Sequence, residues 1–242
     1  MQGCTTGSGR PAGSRAPPHG GTGAAALAPA SLREYLHPMS WWESAYRSGR
    51  VSWDPGEYDG HLPWVLDEFD VSPCRALDIG CGTGKSAVWL AEHGFDVTGI
   101  DLAPTAIRRA RELARERGVE ATFVEGVFPD DAASGRAASA AVAGPFGFVT
   151  ERAFLQHVGT GRALERTLRA IAGLMTPDGL FYSLIIAGPD VPRWWSMSRW
   201  TERDVREAME PFFTVRAIRR TVFTPGEPGS MSAWLSVMER LW

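Results

Sequence analysis

The sequence predicts an α/β fold with a doubly wound sheet, mostly parallel with an antiparallel C-terminal strand, and helices on both faces. Short apolar runs typical of buried strands alternate with segments whose apolar residues recur at helical spacing. The first strand, 76–79, passes through a glycine-rich turn into the first of these helices. Two alternating segments, 212–221 and 231–237, follow the last helix and predict an antiparallel pair.

The best-defined part of this pattern is one strand–helix–strand unit. The strand over 76–79 is followed by a helix over 85–93, in which apolar residues recur every three or four positions. Gly94 is expected to end this helix. A second strand, 95–100, then leads to Asp101, which places a carboxylate at the tip of that strand.

The remaining elements continue the alternation. Pro104 suits the first turn of a helix that Gly118 ends, and Thr201 with Asp204 has the spacing of a capping box. The expected elements are a helix over 104–117, a strand over 119–124, a strand and exit loop over 145–158, a helix over 162–174, a turn over 176–179 and a strand over 180–186.

The chain divides into a disordered N-terminal segment, 1–38, and one folded domain, 39–242, whose first part, 39–70, forms an arm or lid. Of the first 30 residues, 23 are Gly, Pro, Ala, Ser or Thr. Such a segment buries too little apolar surface to offset the entropy of ordering it. A second segment of low complexity, 130–143, is expected to be a linker or loose helix without a role in chemistry.

Composition argues against several kinds of partner. The net charge of -3 provides no general attraction to nucleic acid or membrane surfaces. No apolar run approaches the ~20 residues of a membrane-spanning helix. The three cysteines, Cys4, Cys74 and Cys81, lack the spacing of a zinc site or a disulfide framework. We therefore expect a cytoplasmic protein with free thiols, no bound metal, and no nucleic-acid or membrane partner.

The glycine turn, 80–84, indicates a ligand that carries a nucleoside. Glycine backbone permits close approach, the following helix directs free N–H groups at the same place, and Asp101 can accept the hydroxyls of a ribose. A triphosphate-binding loop would need glycine at position 79, where the chain has Ile79. A dinucleotide-binding turn would need glycine at position 85, where Lys85 stands, so a nicotinamide cofactor is disfavoured.

The pattern D-x-G-x-G-x-G, followed by the acid that ends the next strand, resembles the cofactor loop of class I methyltransferases that use S-adenosylmethionine (SAM). The resemblance implies a Rossmann-like fold and SAM as the cofactor. It also implies that the tip of the third strand contacts adenine through an acid and an apolar neighbour, although the family usually has Asp where this chain has Glu. The cofactor-binding residues implied are Asp78, Gly80, Cys81, Gly82, Gly84, Asp101, Leu102, Glu125 and Val127.

A second resemblance lies ahead of the glycine turn. The pattern W-E-x-x-Y-x-x-G-x-x-x-W-D-x-G, which begins at Trp42, is similar to the N-terminal arm of thiopurine- and thiol-type S-methyltransferases. In that group the tryptophans of the arm close over SAM and the acceptor. The resemblance therefore implies that Trp42 and Trp53 contact the cofactor.

The fourth strand and its exit loop carry the candidate catalytic residues. The same families show F-D-x-V-x-D-R-x-x-x-x-H there, and this chain keeps Phe146, Arg152 and His157. Gly147 stands where the family has a strand aspartate, which leaves Glu151 as the nearby carboxylate. The resemblance implies that His157, Arg152 and Glu151 act at the acceptor end of the site. A histidine there could orient or deprotonate an acceptor.

Together these features predict a methyltransferase that moves a methyl group from SAM to a small-molecule acceptor, at sulfur or another soft nucleophile. A soft acceptor needs little help from a base, which suits a site without the usual strand carboxylate. Two alternatives stay open: an acceptor at oxygen or nitrogen of a small metabolite, and a SAM-binding protein without catalysis. A loop over 187–199, which contains Trp194 and Trp195, is expected to cover the acceptor.

Overall fold

The computed structural model describes residues 38–51, 53–54, 58–129, 142–191, 193, 199–224 and 229–241. Helices and strands alternate through most of these ranges. The helices are α1 (Pro38–Ser48), α2 (Leu62–Glu68), α3 (Lys85–Glu92), α4 (Pro104–Arg117), α5 (Leu155–Val158), α6 (Arg162–Leu174) and α7 (Glu202–Met209). The strands are β1 (Arg75–Ile79), β2 (Asp96–Asp101), β3 (Thr122–Glu125), β4 (Phe146–Arg152), β5 (Met175–Ile186), β6 (Phe213–Val222) and β7 (Ser232–Arg240).

The ends of the helices follow from local sequence. Helix α4 has Pro104 in its first turn, where the missing N–H costs nothing, and it ends at Gly118 in the left-handed conformation. At the start of α7, the side chain of Thr201 accepts a hydrogen bond from the N–H of Asp204, and the carboxylate of Asp204 accepts one from the N–H of Thr201. Both predicted helix boundaries are confirmed.

All seven strands form one sheet in the order β3-β2-β1-β4-β5-β7-β6. Strands β1 to β5 pair in parallel, and β7 runs antiparallel to both of its neighbours. The predicted fold class is therefore confirmed, including the antiparallel C-terminal strand. The strand order reverses between β1 and β4, so their carboxyl ends flank the crevice in which ligands bind in sheets of this kind.

The core lies on the two faces of this sheet. One face packs against α2, α3 and α4, and the other against α5, α6 and α7. The strands at the centre have side chains buried on both faces, as the near-continuous apolar runs predicted. None of the helices in the described part of the chain is long and apolar enough to cross a membrane.

One predicted element is wrong. The turn over 176–179 lies inside β5, which begins at Met175. Its pairing with β4 jumps from Phe146–Met175 to Phe148–Leu180, so the intervening residues bulge from the ladder. The turn-forming residues therefore interrupt the pairing without ending the strand, because β4 continues alongside on both sides of the bulge.

Three predictions concern residues outside the described ranges. The disorder of 1–38 falls almost entirely there, since the description begins at residue 38. Most of the low-complexity segment 130–143 and the two tryptophans of the acceptor loop also lie outside. These remain predictions.

Candidate active site

The glycine turn follows β1 at the carboxyl edge of the sheet. Its backbone adopts positive φ at Gly82 (+54°) and Gly84 (+79°), a conformation that side chains other than glycine rarely adopt. A Cβ added to Gly84 would lie 2.7 Å from the Cβ of Ala110, so α3 and α4 pack against this turn without room for a methyl group. Gly82 lines a cleft, whereas Gly84 makes the close helix packing possible.

Asp101 joins this turn to the next helix. Its carboxylate accepts hydrogen bonds from the N–H of Gly82, at 3.0 Å, and the N–H of Ala103, at 2.8 Å. Burial raises the pKa of Asp101 to about 6, although the backbone donors oppose that shift. Each carboxylate oxygen keeps a lone pair for a further donor such as a ribose hydroxyl.

The cleft lies where the sequence predicted a ligand, between the carboxyl ends of β1 and β4. Its volume is about 50 Å³. Ligand pockets usually measure about 300–1,000 Å³, and Tyr46, Trp53 and Asp54 of the N-terminal arm form part of the wall of this smaller cleft. The residues that line the cleft are Tyr46, Trp53, Asp54, Tyr58, Asp59, Asp78, Gly80, Cys81, Gly82, Lys85, Ser86 and Arg152.

Helix α1 and the residues after it hold the arm in place. The hydroxyl of Tyr46 accepts a hydrogen bond from the indole of Trp53 at 3.2 Å. It would lie only 2.8 Å from a Cβ at Gly82. The carboxylate of Glu43 accepts hydrogen bonds from the N–H and hydroxyl of Thr105, at 2.9 Å and 2.7 Å. The arm is therefore anchored on α4 and covers the glycine turn.

A charged clasp adds to this closure. Asp54 accepts a hydrogen bond from the hydroxyl of Thr83 at 2.7 Å and lies 3.2 Å from the ammonium of Lys85. Lys85 also donates to the backbone carbonyl of Asp54 at 2.7 Å. A ligand that enters the cleft must fit beneath these contacts or displace them.

Arg152 and Asp59 form a buried pair on the opposite side of the cleft. The guanidinium of Arg152 lies over the ring of Phe223 at 3.8 Å and donates to the carbonyl of Trp53 at 3.1 Å. Its Nε lies 3.9 Å from a carboxylate oxygen of Asp59 and finds no hydrogen-bond partner among the described residues. The hydroxyl of Tyr182 donates to the same carboxylate at 2.6 Å.

The structure places Glu151 inside the core. Its carboxylate accepts hydrogen bonds from the N–H groups of Phe154 and Leu155, at 2.9 Å and 3.2 Å, and from the hydroxyl of Ser183. Burial raises the pKa of Glu151 to about 7. With these donors it shapes the turn between β4 and α5, and it does not line the cleft.

His157 belongs to an aromatic cluster on the arm side. Its ring meets Trp42 edge-on at 4.7 Å, and Trp42 in turn meets Trp53 at 5.0 Å and Trp41 at 4.5 Å. Desolvation lowers the pKa of His157 to about 4. The ring is therefore neutral at pH 7 and can accept a proton.

The predicted adenine contacts lie at the neighbouring strand tips. Glu125 ends β3 and pairs in register with Asp101. Its side chain is exposed, and Leu102 and Val127 are half-buried nearby in the chain. The structure thus aligns these residues along one edge of the sheet, beside the narrow cleft.

Sequence reasoning missed several residues that line the cleft. Tyr46 and Asp54 stand in the quoted arm pattern, which could have pointed to them. Tyr58 and Asp59 lie in a turn that contains no recognisable motif. Lys85 was used only as an argument against a dinucleotide, and its place in the cleft was not predicted. These side chains reach the cleft through the folding of the arm over the sheet.

The glycine turn and its surroundings fit SAM. The bare backbone of the turn and the carboxylate of Asp101 suit an adenosyl group, and the unpartnered Nε of Arg152 marks a donor that a carboxylate could satisfy. The acids in the cleft suit a cationic sulfonium. The cleft is smaller than the pockets that usually hold ligands of that size, so its walls must open to admit one.

Asp78 leads to a prediction about stability. Burial raises its pKa to about 7, with the charges of Asp59 and Asp101 adding to the shift. A raised pKa stabilises the fold fully below the unfolded value, about 3.8, and this stability is lost as pH rises through about 7. We expect the Asp78→Asn variant to gain stability relative to wild type between pH 5 and pH 8, as measured by urea unfolding. Parallel stability curves for the two proteins would contradict this.

The sequence is similar to known methyltransferases over part of its length. Residues 76–179 match the family model described as a methyltransferase domain. The ubiquinone biosynthesis O-methyltransferase of Xanthomonas axonopodis pv. citri (strain 306) is 36% identical over 129 residues, which are 53% of this chain and 50% of that protein. The chain spans about half the length of the curated relatives it matches.

Solved structures share the fold over most of the chain. The 1,6-didemethyltoxoflavin-N1-methyltransferase of Burkholderia thailandensis, with bound S-adenosylhomocysteine, has a TM-score of 0.66 at 22% identity and covers 88% of this chain and 92% of its own. A structure described under the conversion of a disulfide bond into a thioacetal group during echinomycin biosynthesis has a TM-score of 0.68 at 22% identity, with coverages of 85% and 93%. These likenesses concern the fold. Residues 76–179 are therefore similar to a methyltransferase domain in sequence, and most of the chain shares the fold of solved methyltransferase structures.

Proposed function

We propose that the protein is an active SAM-dependent methyltransferase whose acceptor is a hydroxyl oxygen of a small molecule. The observation that carries the proposal is the glycine turn bonded to Asp101 at the strand edge, next to a cleft with buried acids and an arginine. The oxygen acceptor is favoured by relatives that are O-methyltransferases by name. A sulfur acceptor, which the arm pattern suggested, has no such support.

In this proposal the cofactor lies along the carboxyl edge of β1, β2 and β3. Gly80 and Gly82 provide the bare backbone, and Asp101 takes the ribose hydroxyls. Arg152 takes the carboxylate of the methionine part, because its Nε has no hydrogen-bond partner among the described residues. The acid predicted for the adenine amino group is Glu125, at the strand tip beside Asp101.

The acceptor would lie on the side of the aromatic cluster of Trp41, Trp42, Trp53 and His157. Edge-on and tilted aromatic rings favour a flat, apolar acceptor and exclude water that would otherwise solvate its oxygen. Arg152 and Glu151, which the sequence analysis named as catalytic, have other tasks here: one binds and the other shapes the turn that carries His157.

The chemistry asked of these residues is modest. When bound, SAM supplies a methyl group already activated on a positively charged sulfur. Transfer breaks the carbon–sulfur bond, leaves its electron pair on sulfur and forms a carbon–oxygen bond. The chain must hold the acceptor oxygen in line with the departing sulfur, which can be worth roughly 7–11 kcal/mol. In this proposal neutral His157 takes the hydroxyl proton, either directly or through water.

A panel of acceptors tests the proposal. The purified protein would be incubated with SAM carrying a labelled methyl group and with phenols, catechols, N-hydroxy heterocycles, thiols and amines in parallel. We expect labelled product and S-adenosylhomocysteine from at least one hydroxyl compound, with heat-denatured protein as the control. If only thiols were methylated, the acceptor would be sulfur and the proposed oxygen acceptor would be wrong. SAM binding without turnover of any acceptor would favour the non-catalytic alternative.

Asp101 provides a prediction about the cofactor. We expect Asp101→Asn to weaken SAM binding by about 1.5 kcal/mol, roughly tenfold, which is the scale of a hydrogen bond to a charged group. Isothermal titration with SAM measures this. Asp96→Asn, at the exposed opposite end of the same strand, is the matched control and should bind SAM as wild type does. An unchanged affinity in Asp101→Asn would remove the ribose contact from the proposal.

A further inference from the structure

Asp59 is a buried carboxylate that lines the cofactor cleft, and only 2% of the residue is exposed. One of its oxygens accepts hydrogen bonds from the backbone and ring of His61, at 3.1 Å and 2.8 Å. The other accepts from the hydroxyl of Tyr182 at 2.6 Å and lies 3.9 Å from Nε of Arg152. Burial opposes ionisation, but the hydrogen bond from His61 and the charge of Arg152 lower the pKa of Asp59. The group is therefore an anion at neutral pH.

Among the described residues that line the cleft, four of the five charged or acidic side chains form two pairs, and Asp78 is the fifth. Lys85 is bonded to Asp54 on the arm, so these two charges largely offset each other. On the other side, Asp59 is the carboxylate next to Arg152. If Asp59 lost its charge, the guanidinium would remain as an uncompensated cation in the wall of the cleft. A buried charge that loses its partner acts strongly on other charges nearby, because little water screens it.

The proposed reaction changes the charge of the ligand in this cleft. The sulfur of SAM carries a positive charge before transfer and none in S-adenosylhomocysteine after transfer. The two ligands are otherwise the same apart from one methyl group. A fixed anion in the wall therefore favours the cofactor over the product, whereas hydrogen bonds to ribose or adenine hold both alike.

On the basis of the function proposed above, we propose that Asp59 is the residue that selects the cationic cofactor over its neutral product. Its hydrogen bonds from His61 and Tyr182 fix the carboxylate at the cleft, and its charge offsets that of Arg152. The selectivity lets fresh SAM displace S-adenosylhomocysteine after each transfer. With an effective dielectric constant of about 20 and a separation of about 10 Å, one unit charge changes the affinity for a cation about tenfold.

The test is the ratio of two dissociation constants, for SAM and for S-adenosylhomocysteine, measured by isothermal titration at pH 7.5. We expect Asp59→Asn to lower the preference for SAM over S-adenosylhomocysteine about tenfold. A changed contact between Arg152 and the ligand carboxylate affects both constants alike and leaves this ratio unaltered. Tyr182→Phe is the matched control. It removes a hydrogen bond to the same carboxylate but no charge, so the ratio should stay at the wild-type value even if stability falls.

A second variant tests the opposite sign. Arg152→Gln removes the compensating cation and leaves the charge of Asp59 unbalanced, so both ligands should bind more weakly but the preference for SAM should rise. This variant decides the matter if Asp59→Asn fails to fold, as judged by circular dichroism. Equal losses for both ligands in Asp59→Asn, or an unchanged or lower preference for SAM in Arg152→Gln, would overturn the inference. If wild-type protein binds neither ligand, the proposed function itself fails.

Discussion

Replacing Gly84 with valine should lower the free energy of unfolding by about 2–5 kcal/mol. Two effects contribute. The residue has φ of +79°, and a side chain in the left-handed region costs about 1–2 kcal/mol. A Cβ at this position would also lie 2.7 Å from the Cβ of Ala110 and 3.0 Å from its Cα. Forcing extra atoms into such packing typically costs about 1–3 kcal/mol. Urea unfolding followed by tryptophan fluorescence measures the loss.

Gly118 provides the matched control for this experiment. Its φ of +69° is similar, but a Cβ there would meet nothing within 4 Å. Gly118→Val should therefore lose only the backbone contribution, about 1–2 kcal/mol. If the two variants were equally stable, the close packing of α3 against α4 would not be what requires glycine at position 84.

Replacing His157 with alanine should lower kcat for a hydroxyl acceptor about 100-fold, the lower end of what a positioned general base contributes. The neutral ring lies against Trp42 in the aromatic cluster proposed for the acceptor. A hydroxyl keeps its proton at neutral pH and needs a base, whereas a thiol loses its proton readily. Steady-state kinetics should therefore show a large loss with a phenol and a small loss with a thiol.

His93→Ala is the control for this variant. His93 is exposed and lies at the end of α3, where its ring packs on Trp89, away from the proposed acceptor. It should retain wild-type kinetics with both acceptors. Equal losses with phenol and thiol in His157→Ala would mean that the ring supports the fold of the cluster and takes no proton. Unchanged SAM affinity in both variants would show that the cofactor site is intact.

The arm pattern was not sufficient to infer which atom of the acceptor is methylated. Trp53 lines the cleft beside the glycine turn and Trp42 packs on Trp53, but their contact with a cofactor stays a prediction, and aromatic residues can close over many acceptors. The ubiquinone biosynthesis enzymes among the curated relatives are O-methyltransferases by name, which does not support the sulfur acceptor inferred from the pattern. The arm pattern indicates where an acceptor would bind. Which atom is methylated depends on the side chains that position and deprotonate the acceptor, and these lie outside the pattern.

Local sequence was sufficient for the parts of the site that are close together in the chain. The turn from Gly80 to Gly84, the carboxylate of Asp101, the boundaries of α4 and the start of α7 all follow from residues within a few positions of one another. Backbone conformation at glycine and proline, and the alternation of apolar residues, act over this short range. The fold class follows from the same alternation repeated along the chain.

Only the tertiary structure decided which distant groups share the cleft. Asp59 meets Tyr182 and Arg152, which are separated from it by 123 and 93 positions, and no local pattern records such contacts. The same packing buried Glu151, which was expected to act at the acceptor end of the site, and it drew 176–179 into a strand. These outcomes depend on pairing and burial between remote segments, whose free energies arise only when the sheet assembles.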